Sequence, residues 1–225
     1  MTQPLDAVLF DLDGTLLDTA PDFIWVINRL LQQEGRPAME FAQLREQVSN
    51  GASAMIGTAF GLPETDPAFS RLRQRFLDIY GDHLAIETRP FSGVTELLDW
   101  LDALALPWGI VTNKPELYTR GLLQKLDLER RAGSIVCPEQ VRERKPHPES
   151  LWLACRELDS HPERCLYIGD HVRDIEAGRN AGMTTIAALY GYIAPGDDPT
   201  LWRSDHSVDS AEAIKPLLQS LYSLV

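Results

Sequence analysis

Residues 7–16 of the chain read AVLFDLDGTL. Four apolar residues come first, and they run directly into Asp11, Asp13, a glycine and a threonine. A short continuous apolar run is typical of a strand that is buried on both faces of a parallel sheet. Ligands bind to such sheets at the carboxyl ends of the strands. The stretch therefore predicts a buried strand that delivers two carboxylates to a binding site.

The two aspartates require a positive partner. Both are charged at neutral pH in water, and at about 4 Å with an effective dielectric of about 20 their repulsion is on the order of 4 kcal/mol. A hard divalent cation, Mg²⁺ first, suits oxygen ligands of this kind. The spacing does not fit an EF-hand calcium loop, because the glycine comes too early and Asp22 stands where that loop needs a glutamate. A chance acidic turn remains open until the rest of the chain is considered.

The composition is typical of a globular protein that does not bind nucleic acid. The chain has 225 residues, of which 44% are hydrophobic and 24% are charged, and these values favour one domain with a sizeable insertion. No run of 18 apolar residues and no signal-peptide pattern occurs, so we expect a cytoplasmic protein that does not enter a membrane. The net charge of -12 disfavours nucleic acid, and it means that any phosphate needs local cations to enter. Cys137, Cys155 and Cys165 are widely spaced and are predicted to be buried, reduced thiols.

Residues 18–88 carry helical patterns and no convincing strand. The first predicted helix is capped by Asp18 or Thr19 and stopped by Gly35. Further helices are predicted over residues 40–48, 52–60 and 67–84. This segment is therefore predicted to be a helical insert.

After residue 90, helices alternate with short apolar strands. The strands are predicted over residues 108–112, 134–137, 166–169 and 184–188, and the helices over 93–104, 115–126, 148–158 and 174–181. Such alternation indicates a parallel sheet with right-handed crossovers, which strand 7–10 must join. The predicted fold class is α/β: a Rossmann-like parallel sheet in a core domain of residues 1–17 and 89–225, with residues 18–88 as a small all-helical cap domain over the strand ends. Residues 194–209 are predicted to be an ordered surface loop.

Polar side chains follow two of these strands. Thr112 and Asn113 follow the strand at 108–112, and the amino end of the next helix offers N–H groups suited to an anion, although a plain helix cap is an alternative. Lys145 lies in a stiff Pro-containing segment just before a helix. A solvated surface lysine is the alternative there, and Lys114 is a rival for the same role.

A further strand end completes the pattern. Asp170 follows the strand at 166–169, and Asp174 opens the next helix, where a lone acidic charge would also be favourable. Taken in order, the four strand ends resemble the four motifs of the haloacid dehalogenase superfamily, and the match spans almost the whole chain. The motifs are DLDGT at residues 11–15, TN at 112–113, KP at 145–146 and GDHVRD at 169–174.

The resemblance implies a phosphatase. Asp11 would be the nucleophile and would form an aspartyl-phosphate. Asp13 would protonate the leaving alcohol and then activate water, and its presence excludes a dehalogenase, which has no alcohol to protonate. Thr112, the N–H of Asn113 and Lys145 would hold the phosphoryl oxygens. The implied partner is a small-molecule phosphomonoester, and a monomer and a dimer both remain open.

The resemblance also implies a Mg²⁺ site. Its ligands would be the carboxylates of Asp11 and Asp170 and the backbone carbonyl of Asp13. Asp174 would hold metal-bound waters from the second shell. One departure is visible, because His171 follows Asp170 where the family usually has Asp, Ser or Thr. This departure puts the surroundings of the metal in doubt, and we assign no role to the histidine.

Residues 18–88 resemble the small cap of phosphoglycolate phosphatases, which reads the substrate. Asn50 and Gly51 lie where such enzymes place a substrate-binding loop, although an ordinary connection between helices is an equal alternative. A small diacid such as 2-phosphoglycolate would need a cationic anchor in the cap, and residues 49–53 offer none. Several other stretches resemble bacterial phosphatases of the cell-wall (peptidoglycan) recycling route: residues 51–60, 136–138, 190–193 and 198–199, with Trp202. The resemblance implies a larger substrate, the 6-phosphate of an amino sugar that carries a lactyl ether, and we favour it.

Other side chains bear on the substrate. Tyr190, Tyr192 and Trp202 follow the last predicted strand and could stack on a sugar ring, although packing within the loop is an equal alternative. The three arginines within residues 71–75 are scattered around their predicted helix by their spacing. A sugar phosphomutase would share the motifs and the cap, and a receiver-type phospho-switch would share the sheet and an aspartate. Fold alone does not decide between them.

Overall fold

The computed structural model describes residues 4–222 and 224. Its strands are β1 (Ala7–Phe10), β2 (Leu17–Asp18), β3 (Arg89–Pro90), β4 (Trp108–Val111), β5 (Ser134–Val136), β6 (Cys165–Gly169), β7 (Thr184–Ala188) and β8 (His206–Val208). Six of them form one parallel sheet in the order β5-β4-β1-β6-β7-β8, and β2 pairs with β3. β1 is completely buried between β4 and β6, as its apolar sequence predicts.

Residues 18–88, which we call the insert, are almost entirely helical. Their helices are α1 (Ala20–Gln33), α2 (Phe41–Arg45), a 3-10 helix (Val48–Asn50), α3 (Gly51–Phe60) and α4 (Phe69–Asp82). These helices bury a common hydrophobic cluster that includes Phe23 and Phe76. Leu122 and Tyr192, from outside the insert, join the same cluster. The insert is thus packed within itself and also attached to the rest of the chain.

The two ends of the insert are held together. β2 and β3 pair in antiparallel fashion at these ends. The buried carboxylate of Asp22 accepts hydrogen bonds from the backbone N–H groups of Glu87 and Thr88, at 2.8 Å and 3.1 Å, and from the Thr88 hydroxyl at 2.6 Å. The chain therefore leaves the insert beside the point where it enters.

Helices cover both faces of the sheet. They are α5 (Val94–Ala103), α6 (Glu116–Lys125), α7 (Glu149–Glu157), α8 (Val172–Ala181) and α9 (Ile214–Tyr222). Successive residues of a strand point to opposite faces. Val8 and Phe10 accordingly pack in a cluster with residues of α5 and α9, whereas Leu9 packs with residues of α7 and α8. The result is a helix-sheet-helix sandwich, which confirms the predicted α/β class.

Some local predictions are wrong. The expected surface loop over residues 194–209 contains a 3-10 helix, Pro199–Trp202, and β8. β8 is a three-residue edge strand in which only Val208 is buried, so it lacks the apolar run that indicates a strand. β2 includes Asp18, which lies in the segment 18–88 that was predicted to hold no strand. No helix was predicted over the residues of α9.

The cysteines are buried, and the helices of the described residues show no membrane-spanning character, as the composition predicts. All three cysteines are buried and unpaired, as predicted. Cys155 and Cys165 are neighbours, with 3.8 Å between their sulfur atoms. Within residues 4–222 and 224, no helix combines the length and the apolar character that crossing a bilayer requires.

Candidate active site

Three carboxylates meet where β1 and β6 end. Asp11 follows β1, Asp170 follows β6, and Asp174 lies in the first turn of α8. Because β1 and β6 are adjacent and parallel, with Phe10 opposite Ile168, the residues that follow them emerge side by side. One oxygen from each carboxylate lies within 4.8 Å of the others, and Asp170 and Asp174 are completely buried. We call these three residues the carboxylate cluster.

Lys145 neutralises part of this charge. Its Nζ lies 2.9 Å from Asp11 Oδ1 and 2.8 Å from Asp174 Oδ1. It also donates to the Tyr167 hydroxyl at 2.7 Å and to the Val111 carbonyl at 2.9 Å. Burial alone would lower the pKa of Lys145, but the two carboxylates outweigh it and raise that pKa above its ordinary value. Lys145 is therefore a buried cation, and the alternative of a solvated lysine is excluded.

The carboxylate cluster keeps an excess of negative charge, because three carboxylates face one ammonium group. Burial, followed by repulsion from Asp11 and Asp174, raises the pKa of Asp170 to about 8. Burial likewise raises the pKa of Asp11 to about 6, although Lys145 opposes this shift. A divalent cation would balance the two remaining charges, and carboxylate oxygens are the ligands that hard cations prefer. The charge and the donor atoms therefore fit a divalent metal ion.

The side chain of Asp13 lies apart from this cluster. Its carboxylate accepts hydrogen bonds from Thr19 Oγ1 at 2.7 Å and from Lys114 Nζ at 2.9 Å. Lys114 is buried, and its Nζ lies 4.5 Å from the ring centroid of Phe23 and 4.7 Å from that of Tyr80. Lys114 thus connects Asp13 to the insert. Of the two predicted caps of α1, Asp18 and Thr19, Thr19 holds the N-cap position, but its hydroxyl makes no cap hydrogen bond and donates to Asp13 instead.

The loop after β4 lies beside the carboxylate cluster. Thr112 is buried, and its Oγ1 accepts a hydrogen bond from the backbone N–H of Lys114 at 3.1 Å. Asn113 Nδ2 donates to the backbone carbonyl of Lys145 at 3.0 Å. These two bonds link the loop to both buried lysines. The structure therefore brings Thr112 and Asn113 to the same edge of the sheet as the carboxylates.

Two glycines allow the carboxylates to come this close. Gly14 has a φ of 85°, and a Cβ there would lie 2.1 Å from Asp170 Oδ2. A Cβ on Gly169 would lie 2.3 Å from the Cβ of Asp174. Any larger residue at either position would displace a member of the cluster.

A cavity of about 540 Å³ opens onto the site, between the sheet edge and the insert. Asn50 and Gly51, which were predicted to contact the substrate, both line it, as do Asp11, Asp13 and Lys145. The insert also reaches the carboxylate cluster directly, because the Ser49 hydroxyl donates to Asp170 Oδ2 at 3.1 Å.

Of the two alternatives for Tyr190, Tyr192 and Trp202, the structure favours packing within the protein over stacking on a sugar. Tyr192 is buried, and its hydroxyl donates to Asp18 Oδ1 at 2.7 Å. The Tyr190 hydroxyl donates to the Thr15 carbonyl at 2.9 Å, and Trp202 is buried in a small cluster beside α8 and β7. None of the three lines the cavity. These side chains pack behind the site. An aromatic side chain that follows a strand can be buried in the core or can contact a ligand, and its sequence position does not distinguish the two.

Three arginines that the sequence pattern did not assign to a site line the cavity. Arg73 from α4, Arg144 from the segment before α7 and Arg173 from α8 all line it. Arg173 Nη2 donates to Asn50 Oδ1 at 2.5 Å, which joins the core side of the site to the insert. Burial, followed by the charge of Arg173, lowers the pKa of His171 to about 4, so this histidine is neutral at physiological pH. The arginines provide the local cations that an anionic ligand of an acidic protein needs.

The family comparison agrees with this geometry. Residues 8–188 match the family model described as haloacid dehalogenase-like hydrolase. The chain belongs to this family of hydrolases.

Its named relatives are phosphatases. The chain is 48% identical over 205 residues to N-acetylmuramic acid 6-phosphate phosphatase from Pseudomonas aeruginosa, and the match covers 91% of each chain. It is 41% identical over 203 residues to phosphoglycolate phosphatase from Xanthomonas campestris pv. campestris, which covers 90% of this chain and 91% of the relative. The crystal structure of a predicted phosphoglycolate phosphatase from Haemophilus somnus 129pt is similar with a TM-score of 0.84 at 26% identity, covering 96% of this chain and 98% of the other.

Proposed function

We propose that this chain is a Mg²⁺-dependent phosphatase that hydrolyses N-acetylmuramic acid 6-phosphate. The observation that carries the proposal is the buried group of Asp11, Asp170, Asp174 and Lys145 at one side of a cavity that also holds three arginines. Such a site combines an oxygen nucleophile, a place for a divalent cation and positive charge for a phosphoryl group. The 48% identity to a phosphatase named for this substrate supports the choice.

The reaction has two balanced steps. In the first, a carboxylate oxygen of Asp11 attacks phosphorus, the bond from phosphorus to the sugar oxygen breaks, and Asp13 gives its proton to that oxygen. In the second, water attacks the phosphorus of phospho-Asp11, Asp13 takes a proton from the water, and inorganic phosphate leaves. The hydrogen bonds that the Asp13 carboxylate accepts from Thr19 and Lys114 hold it in place for both proton transfers.

Four aspartates would hold the metal ion. The carboxylates of Asp11 and Asp170 and the backbone carbonyl of Asp13 would be ligands, and Asp174 would act through bound water. When bound, Mg²⁺ neutralises negative charge on the phosphoryl group and on the attacking carboxylate. The negative charge left on the carboxylate cluster, and the pKa of Asp170 raised to about 8, support this assignment.

The phosphoryl oxygens would be held on the other side by Thr112, the backbone N–H of Asn113 and Lys145. Positive charge and N–H groups fixed in place before the reaction stabilise charge that develops in the transition state. Lys145 Nζ is surrounded by four oxygen atoms, which supports such a fixed position.

Residues 18–88 would act as a cap domain that selects the substrate, over a core domain of residues 1–17 and 89–225. Asn50 and Gly51 would contact the sugar. A cavity of about 540 Å³ falls within the range of about 300–1,000 Å³ that is usual for small-molecule sites, and it has room for a sugar phosphate. 2-Phosphoglycolate is the second candidate, supported by the relative that is 41% identical.

The test is a direct comparison of substrates. We expect kcat/KM for N-acetylmuramic acid 6-phosphate to exceed that for 2-phosphoglycolate by at least about tenfold, or about 1.4 kcal/mol, and all activity to be lost with EDTA and restored by Mg²⁺. A tenfold preference for 2-phosphoglycolate would reverse the choice of substrate. Interconversion of a sugar 1-phosphate and 6-phosphate without release of phosphate would indicate a phosphomutase instead.

A further inference from the structure

The insert contributes one cation to the cavity. Among its cavity-lining residues, Arg73 carries a positive charge and Glu64 a negative one. Arg71 and Arg75, on the same helix α4, both form ion pairs with Glu34. In the part of the chain that the structure describes, Arg73 has no carboxylate partner at salt-bridge distance. Its guanidinium group is therefore available to an anionic ligand.

Arg73 lies on the same wall of the cavity as Tyr80, but nearer the amino end of α4. Arg73, Leu77 and Tyr80 are spaced to share one face of α4, and all three line the cavity. Tyr80 marks the end near the proposed chemistry, because its ring contacts Lys114, which binds Asp13. Arg73 precedes Tyr80 by seven residues, so its backbone lies about 10 Å farther along the helix. The positive charge of Arg73 is thus placed to bind a second anionic group of the substrate, one that is separated from the phosphate.

The other cations of the cavity are placed differently. Lys114 and Lys145 are already paired with aspartates. Arg144 is adjacent in sequence to Lys145, which is proposed to hold the phosphoryl group. The guanidinium group of Arg173 is already engaged, because it donates to Asn50 Oδ1 at 2.5 Å and to His171 Nδ1 at 3.1 Å. Arg73 is left as the cation for the distant end.

We propose that Arg73 determines specificity by binding the lactyl carboxylate of N-acetylmuramic acid 6-phosphate, an inference that rests on the proposed function. This substrate carries its phosphate on C6 and its carboxylate on an ether at C3, so the sugar separates the two anions. With phosphorus beside Asp11, the sugar extends toward the insert. A guanidinium group can bind a carboxylate through two parallel N–H bonds. In 2-phosphoglycolate, a single methylene carbon separates the carboxylate from the phosphate ester oxygen, so we expect that carboxylate to stay at the phosphoryl end of the cavity.

The experiment compares Arg73→Gln with Arg71→Gln. The second variant removes the same charge from the same helix, but at a side chain that is paired with Glu34 and does not line the cavity. The value of kcat/KM is measured for N-acetylmuramic acid 6-phosphate, for N-acetylglucosamine 6-phosphate, which lacks the lactyl group, and for 2-phosphoglycolate.

We expect Arg73→Gln to lower kcat/KM for N-acetylmuramic acid 6-phosphate by about 10- to 100-fold, the effect of losing one charge-assisted interaction. The other two substrates should change by less than about threefold, Arg71→Gln should resemble the wild type, and Arg73→Lys should restore part of the loss. Equal losses on all three substrates, no loss on any, or the same loss in Arg71→Gln would overturn the proposal. The wild type is assayed with N-acetylmuramic acid 6-phosphate before any variant is made. If it does not hydrolyse this substrate, the proposed function is wrong, and this failure is distinct from a failure of the role of Arg73.

Discussion

The edge of the sheet and the insert supply different kinds of groups to one cavity. At the sheet edge, charged side chains are buried and bind one another, as Lys145 binds Asp11 and Asp174. The insert supplies small polar residues such as Ser49, aromatic rings and Arg73, a cation that has no carboxylate partner among residues 4–222 and 224. This difference suggests a division of labour. Under the proposed function, the sheet edge would carry the chemistry that any phosphate ester needs, and the insert would distinguish one ester from another.

The largest effect is expected at the sheet edge. Asp11→Asn removes the attacking charge but keeps the shape of the side chain. We expect kcat with N-acetylmuramic acid 6-phosphate to fall by at least about 10³-fold, with the melting temperature close to that of the wild type. Steady-state kinetics and thermal unfolding check both points. More than about a tenth of wild-type activity would remove Asp11 from the role of nucleophile.

The two buried lysines sharpen the comparison, because Lys145 contacts only the sheet edge whereas Lys114 also contacts rings of the insert. We expect Lys145→Ala to raise the inhibition constant of inorganic phosphate by about 10- to 100-fold. Lys114→Ala should leave that constant within about threefold of the wild type, and should lower kcat because Asp13 loses a partner. The reverse pattern would assign phosphate binding to Lys114.

A smaller effect links metal binding to pH. The pKa of Asp170 in the folded protein, about 8, lies above the ordinary value of 3.8, so the metal-free fold loses stability as the pH rises through this window. Mg²⁺ replaces the proton, and its binding therefore strengthens over the same range. We expect the rise in melting temperature caused by Mg²⁺ to be larger at pH 8 than at pH 6. Asp170→Asn should lose the rise at both pH values, and an equal rise at pH 6 and pH 8 in the wild type would contradict the account.

The residues at the sheet edge could be predicted because short-range sequence determines their positions. Residues 7–10 are continuously apolar and Asp11 follows at once, so the strand and the exit point of the carboxylate are both visible in the sequence. Parallel strands then bring their carboxyl ends together, which places Asp170 beside Asp11 without any knowledge of packing.

The contribution of the insert could not be predicted in the same way. The cation-π contacts of Lys114 need Phe23 and Tyr80, which are distant in sequence and meet only through packing of the insert helices. Helical spacing gives Arg73 a different face from Arg71, but only packing decides which face meets the cavity. Aromatic residues after β7 looked equally suited to a ligand and to the core, and the structure places Tyr192 in the core.

The central claim is that a carboxylate at the end of β1 attacks phosphorus and that Asp13 completes the reaction. The most direct measurement is to incubate Asp13→Asn with p-nitrophenyl phosphate and Mg²⁺ and to locate phosphate by mass spectrometry of its peptides. The nitrophenolate leaves without a proton, whereas water lacks its base, so phosphate should accumulate on Asp11. The double variant Asp11→Asn/Asp13→Asn is the control and should carry none. Phosphate on another residue, or no phosphopeptide while nitrophenol is still released, would contradict the account.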